Sequence, residues 1–181
     1  MHGNGTEASE VVHFWRVSRS DWFSQVPAFD RRFRDRFLDL HLLAARGERD
    51  KWVDSSEGAL ALLILLDQFP RNAFRGTAHM YSTDFLARHW AQAAISVGHM
   101  EAVDSEMQLF FCLPFAHSED LNDQEVSVAL NARLGQPWHD HAKGHHDIIR
   151  RFGRFPHRNR LLGRETTHEE QVFLDRGGFG G

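Results

Sequence analysis

One phrase occurs twice in this sequence and constrains where two of its helices can end. Residues 65–72 read Leu-Leu-Asp-Gln-Phe-Pro-Arg-Asn, and residues 151–159 read Arg-Phe-Gly-Arg-Phe-Pro-His-Arg-Asn. Each copy is followed by an apolar pair, by an arginine beside a glycine (Arg75-Gly76 in the first, Gly163-Arg164 in the second) and by a threonine. Because the residue before a proline is pushed out of the helical region, we predict that each helix stops at its phenylalanine. The arginine and asparagine should then lie in a short ordered turn.

Apolar residues recur at helical spacing along most of the chain. One predicted helix, which ends at Gly47, has its apolar residues at Phe29, Phe33, Phe37, Leu40 and Ala44. The run from Ser55 to Phe69 is apolar nearly all round, which predicts a central helix that ends at Pro70. Further helices are predicted from Thr77 to Val97, Asp104 to Cys112 (before Pro114), Ser118 to Gly135, Trp138 to Phe152, and from Thr167.

No strand pattern is visible, so we predict an all-α fold of stacked antiparallel helical hairpins joined by short connections. At 181 residues the chain fits a single domain over 1–181, with residues 1–9 and 177–181 frayed. Its 15 Phe and 5 Trp against 1 Tyr suit packed helix interfaces. A net charge of −4 argues against nucleic acid or an anionic membrane as a partner.

The repeated phrase is the first candidate site. Arginine offers a rigid fork of donors suited to a carboxylate or phosphate. If the two turns converge, they form one anion pocket, whose candidate ligand-binding residues are Arg71, Asn72, Arg75, Arg154, Arg158 and Asn159, with His157 as a further donor. The alternative is structural: these groups cap helix ends and bind nearby carboxylates.

A third proline-containing connection, residues 113–121, includes His117-Ser118-Glu119-Asp120 and is acidic where the others are basic. Residues 101–125 hold seven acids and no Lys or Arg, whereas residues 133–164 hold eight bases and two acids. Segments of such opposite charge invite pairing. His117, Glu119 and His157 are therefore candidates for acid–base catalysis beside an arginine clamp, and the alternative is a helix cap with a structural ion pair.

Histidines at 141 and 145 are one helical turn apart and could face one metal ion. No glutamate follows the first of them as the zinc-peptidase pattern requires, so we assign no metal and no cofactor. The only cysteine, Cys112, lies in an apolar run and is expected to be buried and inert. No secretory signal or membrane-length apolar run is visible, so we expect a cytoplasmic protein.

Three long motifs carry a resemblance to a known family. They are residues 59–72 with Arg75-Gly76, residues 113–121 with Gln124, and residues 145–159 with Leu162-Gly163-Arg164. Together with Val12-His13-Phe14-Trp15 they resemble the bacterial family catalogued as domain of unknown function 924, over nearly the whole chain. The resemblance implies an all-helical fold like that of tetratricopeptide-repeat proteins, and it implies no activity. Arg16-Val17 stand where the family usually has an aromatic residue and glycine.

Two functional hypotheses follow from the residues. In the first, the polar turns form a pocket that binds a small anionic carboxylate or phosphate compound, with acid–base chemistry as an extension. In the second, the helical hairpins form an interaction module for a peptide or protein, and the motifs are structural. The two differ over whether the arginines point into a shared pocket or are bound to carbonyls and carboxylates of the protein itself.

Overall fold

The protein is all-helical, as its apolar spacing predicts. We describe residues 3–181 of a computed structural model, with side chains from residue 6 onwards, and this part contains no strand. Its α-helices are α1 (Gly3–Val17), α2 (Pro27–Ala45), α3 (Ser56–Leu63), α4 (Phe69–Ala73), α5 (Asp84–Ser96), α6 (Leu109–Ala116), α7 (Leu121–Leu134), α8 (Trp138–Phe152) and α9 (His168–Asp175). Short 3₁₀ helices occupy Arg19–Asp21, Asp50–Asp54, Ala78–Tyr81 and Pro156–Arg158.

The chain divides into two compact units, which are described separately. Unit 1 comprises the chain up to Arg75 together with His79–Pro114. Unit 2 comprises Gly76–Ala78 and Phe115–Gly181. The expectation of a single domain over 1–181 stays a prediction. Among residues 3–181, no helix has the length and apolar character needed to cross a membrane.

Aromatic rings from α1 and α2 form much of the core of unit 1. The ring of Phe14 lies 5.3 Å from that of Phe33 and 5.2 Å from that of Phe37. The ring of Trp15 lies 5.4 Å from that of Phe110. Each such pair contributes about 0.5–1.5 kcal/mol beyond the burial of its area. The phenylalanine-rich composition is thus used in helix packing.

Helix α1 begins at Gly3, so residues 3–9, for which we expect fraying, are helical. Two contacts hold this segment in place: Ser9 Oγ donates to Glu57 Oε2 at 2.7 Å, and Arg49 Nε donates to Glu7 Oε2 at 3.0 Å. Ala8 is buried as well. Sequence composition alone did not show that Glu7 and Ser9 have partners later in the chain.

Several helix ends lie where their capping residues predict them. Ser55 Oγ accepts the Gly58 N–H at 3.1 Å, and Thr167 with Glu170 forms a complete capping box. Gly153 closes α8 with a φ of 69°, a conformation that favours glycine. The predicted start of α7 at Ser118 is early, because Asp120 is the N-cap residue.

Pro70 does not end its helix, and that prediction is wrong. Between α3 and α4 the chain widens into a π turn, Ile64–Gln68, and the Phe69 N–H donates to the carbonyl of Ile64, five residues back. The helix then continues through the proline to Ala73. Pro114 likewise lies inside α6, which continues to Ala116 instead of ending before the proline. In both cases the tertiary setting overrides a local preference.

Two side chains replace the N–H that Pro70 lacks. A helical N–H at position 70 would reach the carbonyl of Leu66 or, in a π turn, that of Leu65. His41 Nδ1 donates to the Leu65 carbonyl at 2.9 Å, and Thr83 Oγ1 donates to the Leu66 carbonyl. Burial lowers the pKa of His41, which disfavours the charged form of the ring. The core therefore keeps its backbone acceptors satisfied.

The contact of Thr83 with the Leu66 carbonyl can be tested by a double-mutant cycle. We expect Thr83→Val, which keeps the shape of the side chain, to lower the free energy of unfolding by about 1–3 kcal/mol, because a buried carbonyl loses its donor. In a Pro70→Ala background the same change should cost less than half as much, because the new N–H at position 70 supplies a donor. Urea unfolding of the four proteins measures both costs.

The matched control is Ser82→Ala. Ser82 Oγ donates to the His79 carbonyl at 3.0 Å in an exposed setting, so its loss should change the free energy of unfolding little in either background. Equal costs of Thr83→Val with and without Pro70 would show that the proline is not the reason for the threonine.

Candidate functional site

In unit 1, Arg71 is bound to two carboxylates of the protein. Its guanidinium donates to both oxygens of Asp84, at 2.8 and 3.0 Å, and lies 3.2 Å from Asp67 Oδ1. Burial opposes the charge, but the carboxylates of Asp67 and Asp84 raise the pKa of Arg71 above its ordinary value. Arg71 thus remains charged inside a buried ion-pair network.

Asn72 and Arg75 bind the same carboxylate. Asn72 Nδ2 donates to Asp30 Oδ1 at 2.8 Å, while Arg75 Nε donates to Asp30 Oδ2 at 2.7 Å and its Nη2 to Asp30 Oδ1 at 3.0 Å. Asp30 lies in the first turn of α2. The first copy of the phrase therefore connects α4 to α2 through one acidic side chain.

In unit 2, Asn159 and Arg154 bind a different carboxylate in the same way. Arg154 donates to Glu170 Oε1 from Nε at 2.6 Å and to Oε2 from Nη2 at 2.9 Å. Asn159 Nδ2 donates to Glu170 Oε2 at 3.2 Å, and the Thr167 N–H donates to the same oxygen at 2.8 Å. The hydrogen bonds from Arg154 hold the pKa of Glu170 down to about 2, against the opposing effect of burial.

The two copies of the phrase share this chemistry but not their backbone conformation. Phe69 is helical, whereas Phe155 is extended and precedes the 3₁₀ turn Pro156–Arg158. In both copies an amide and a guanidinium hold one carboxylate, Asp30 or Glu170. This arrangement favours a structural role for Asn72, Arg75, Arg154 and Asn159, and their binding of an external ligand stays a prediction.

Glu119 links the acidic turn to the second copy of the phrase. Its Oε1 accepts the Phe155 N–H at 2.8 Å, and Arg164 donates to its two oxygens at 2.7 and 3.0 Å. Partial burial alone would raise the pKa of Glu119, but these hydrogen bonds and the charge of Arg158 lower it. Pairing between the acidic and basic segments therefore occurs at Glu119, whereas Asp120 caps α7.

Arg158 lies in different surroundings from the other arginines of the phrase. Its side chain is buried, with the guanidinium carbon 4.6 Å from the centre of the Phe155 ring. Its Nη2 donates to the backbone carbonyl of His117 at 3.0 Å. Its positive charge is also close enough to lower the pKa values of His145 and His157. Arg158 thus lies among histidines, which we call the histidine–arginine cluster (His117, His145, His157 and Arg158).

Two rings of this cluster are held neutral. Burial lowers the pKa of His145 to about 3, with further contributions from the nearby His117 and Arg158. Burial also lowers the pKa of His157 to about 4, and Arg158 contributes in the same direction. The Nδ1 atoms of both rings are buried and have no hydrogen-bond partner among the described residues. These two nitrogens are among the buried polar atoms of this region that lack a hydrogen bond.

Sequence reasoning missed several residues that build these clusters. In the sequence, nothing distinguishes Asp30 from the other charges of its amphipathic helix, and Glu170 stands out only as the third residue after Thr167. Phe179 lay in a glycine-rich segment for which fraying was expected, yet its ring lies 4.6 Å from that of His145 and 5.1 Å from that of His157. The spacing of a glutamate three residues after a capping threonine was the only usable signal for Glu170.

Metal binding by His141 and His145 gains no third ligand from the structure. Among the described residues, no group of three or more His, Cys, Asp or Glu side chains is arranged to hold a metal ion. The ring of His141 instead lies 5.9 Å from that of Trp138.

Comparisons with known proteins agree with this architecture. The sequence matches the family model described as bacterial protein of unknown function, DUF924, over residues 11–178. It is 51% identical to a protein of unknown function, ATU0120 from Agrobacterium tumefaciens, whose solved structure superposes with a TM-score of 0.94. That match covers 96% of this chain and 99% of the other. Among curated proteins, none matches the sequence.

The clamp on Glu170 predicts an acid-dependent stability. Because the pKa of Glu170 falls from an ordinary 4.5 to about 2 on folding, its contribution is complete above pH 4.5 and is lost as the pH falls towards 2. We expect Glu170→Gln to lower the free energy of unfolding at neutral pH and to flatten its decline over this pH range. Urea unfolding at a series of pH values measures the slope.

The neighbouring Glu169 provides the control. It pairs with Arg151 at 2.7 Å on the exposed side of α9, so Glu169→Gln should leave the slope unchanged. A Glu170→Gln curve that runs parallel to that of the unmodified protein would show that the clamp does not govern acid stability.

Proposed function

Since the chain belongs to the DUF924 family of bacterial proteins of unknown function, we propose from its own geometry that it binds a small anion at the histidine–arginine cluster. The observation that supports this most directly is the pair of buried Nδ1 atoms on His145 and His157 without a partner among residues 3–181. A buried polar atom in that state costs about 1–3 kcal/mol. A bound polar ligand removes that cost, since each ring can donate or accept one hydrogen bond.

Electrostatics favours an anion over a cation at this position. Arg158 is a permanent buried cation, and it already lowers the pKa of both neighbouring histidines. A carboxylate or phosphate oxygen would accept from the guanidinium and from neutral imidazole N–H groups without any proton uptake. The arginines that pair with Glu119 and Glu170 keep the surrounding turns in place in this proposal, and they contribute no ligand contact.

Acid–base chemistry is an extension of the same proposal. His157 is neutral, and a bound anion would raise its pKa by favouring the imidazolium form. The charge of Glu119 acts on His157 in the same direction. Ligand binding would therefore move His157 towards the pKa range in which a histidine transfers protons efficiently. His117 and Glu119 complete the candidate acid–base set, and Arg164 holds the carboxylate of Glu119.

The second candidate is the interaction module for a peptide or protein. One observation favours it: Arg71, Arg75, Arg154 and Arg164 are all bound to carboxylates of the protein, as a purely structural motif requires. In this case the repeated phrase fixes helix connections, and recognition occurs elsewhere on the helical surface. The first candidate predicts that small anions stabilise the protein against heat, and the second predicts that they do not.

A thermal-shift experiment separates them. We expect sodium acetate, benzoate or inorganic phosphate to raise the melting temperature relative to sodium chloride at equal ionic strength. A ligand present at about 100 times its Kd stabilises the native state by about 2.7 kcal/mol. Arg158→Gln should abolish this stabilisation, because the permanent cation of the cluster is lost.

The control is Arg150→Gln. This variant removes an exposed arginine of α8 that pairs with the exposed Asp147 at 3.0 Å. It should retain the anion-induced shift in full. If Arg158→Gln does not fold, His157→Phe tests the same site while keeping an aromatic ring. The absence of stabilisation by all three anions, or an equal shift in the Arg158 and Arg150 variants, would contradict the anion site and favour the interaction module.

A further inference from the structure

The segment after α9 places an aromatic ring against the histidine–arginine cluster. Phe179 is half-exposed, with 41% of its surface accessible, and its ring contacts those of His145, His157 and Phe155 at 4.6, 5.1 and 6.2 Å. The segment continues past His157: a Cβ atom built on Gly181 would lie 3.1 Å from the Cδ2 atom of that ring. Residues 177–181 thus form one wall of the cluster.

Another side of the cluster, formed by Phe155, is apolar and aromatic. Phe155 is fully buried, and it supports the Arg158 guanidinium on its face while its edge meets His145 at 5.5 Å and 81°. Arg158 lies on the Phe155 ring, and the Phe179 ring is nearby. This arrangement suits a ligand that has a negative charge at one end and a flat apolar group at the other. The partly exposed Phe179 leaves one side of this arrangement open to solvent.

Charged side chains of both signs lie beside the cluster. Three guanidinium groups, Arg154, Arg158 and Arg164, accompany two carboxylates, Glu119 and Glu170, which leaves one positive charge within this set. His145 and His157, whose pKa values are lowered to about 3 and about 4, add none at neutral pH. A carboxylate carries one negative charge, whereas a phosphate group carries about −1.5 to −2. The balance is met by a monoanion.

We propose that the ligand of this site is an aromatic monocarboxylate, whose carboxylate meets Arg158 and His157 and whose ring stacks on Phe179. This inference rests on the proposed anion-binding function and narrows it to one chemical class. It also gives Phe179 the role of a specificity-determining residue. A compact anion such as acetate would use the same polar groups but would leave the aromatic wall without a partner.

Titration calorimetry with acetate, benzoate and inorganic phosphate tests the proposal. We expect benzoate to bind about tenfold more tightly than acetate, which is the change that one aromatic contact supplies. Phosphate should bind less tightly than benzoate. Phe179→Ala should remove the preference for benzoate, so that the benzoate and acetate affinities differ by less than about twofold, while the acetate affinity stays within the same factor.

Two further variants make the result decisive. Phe179→Leu keeps an apolar side chain against His145 and should also lose the benzoate preference, which covers the case in which the alanine variant does not fold. Phe85→Ala removes an exposed phenylalanine of α5 in unit 1 and should leave both affinities unchanged.

The outcomes distinguish the two levels of the proposal. Equal affinity for acetate and benzoate, tighter binding of phosphate, or a benzoate preference that survives in Phe179→Ala would overturn the aromatic monocarboxylate while the anion site stands. Failure of every anion to bind the unmodified protein would overturn the anion site itself.

Discussion

The N–H that Pro70 lacks is the constraint around which unit 1 is built. Its helix passes through a deeply buried part of the unit, where a carbonyl without a protein donor cannot accept a hydrogen bond from water. The carbonyls of Leu65 and Leu66 instead accept from His41 on α2 and from Thr83 immediately before α5. A local defect in one helix thereby fixes the positions of two others, and a buried histidine acquires a purely structural reason to be there.

The repeated phrase shows that two similar sequence segments can have different backbone conformations. The first copy continues a helix, whereas the second leaves one and starts a 3₁₀ turn. What the copies share is a chemical arrangement: an asparagine amide and a guanidinium hold one carboxylate from a neighbouring helix. The contacts to Asp30 join residues 42 and 45 positions apart, and those to Glu170 join residues 11 and 16 positions apart.

Sequence reasoning predicted the parts that depend on local patterns and missed those that depend on distant partners. The all-helical fold, the range of α8 and the capping box at Thr167 followed from spacing and from residue type. The continuation through Pro70 could not be predicted, because the donors that permit it come from His41 and Thr83. For the site, the polar residues were identified from their motifs, but the burial of Arg158 against the Phe155 ring is a property of the packed protein.

The single thiol of the chain has a consequence of its own. Cys112 is fully buried in α6, where its Sγ donates to the Gln108 carbonyl at 3.6 Å. A thiol reagent can reach it only in molecules in which that part of unit 1 has transiently separated from its neighbours. The rate at which Cys112 is modified therefore reports how often this part of unit 1 opens, and its measurement needs no label added to the chain.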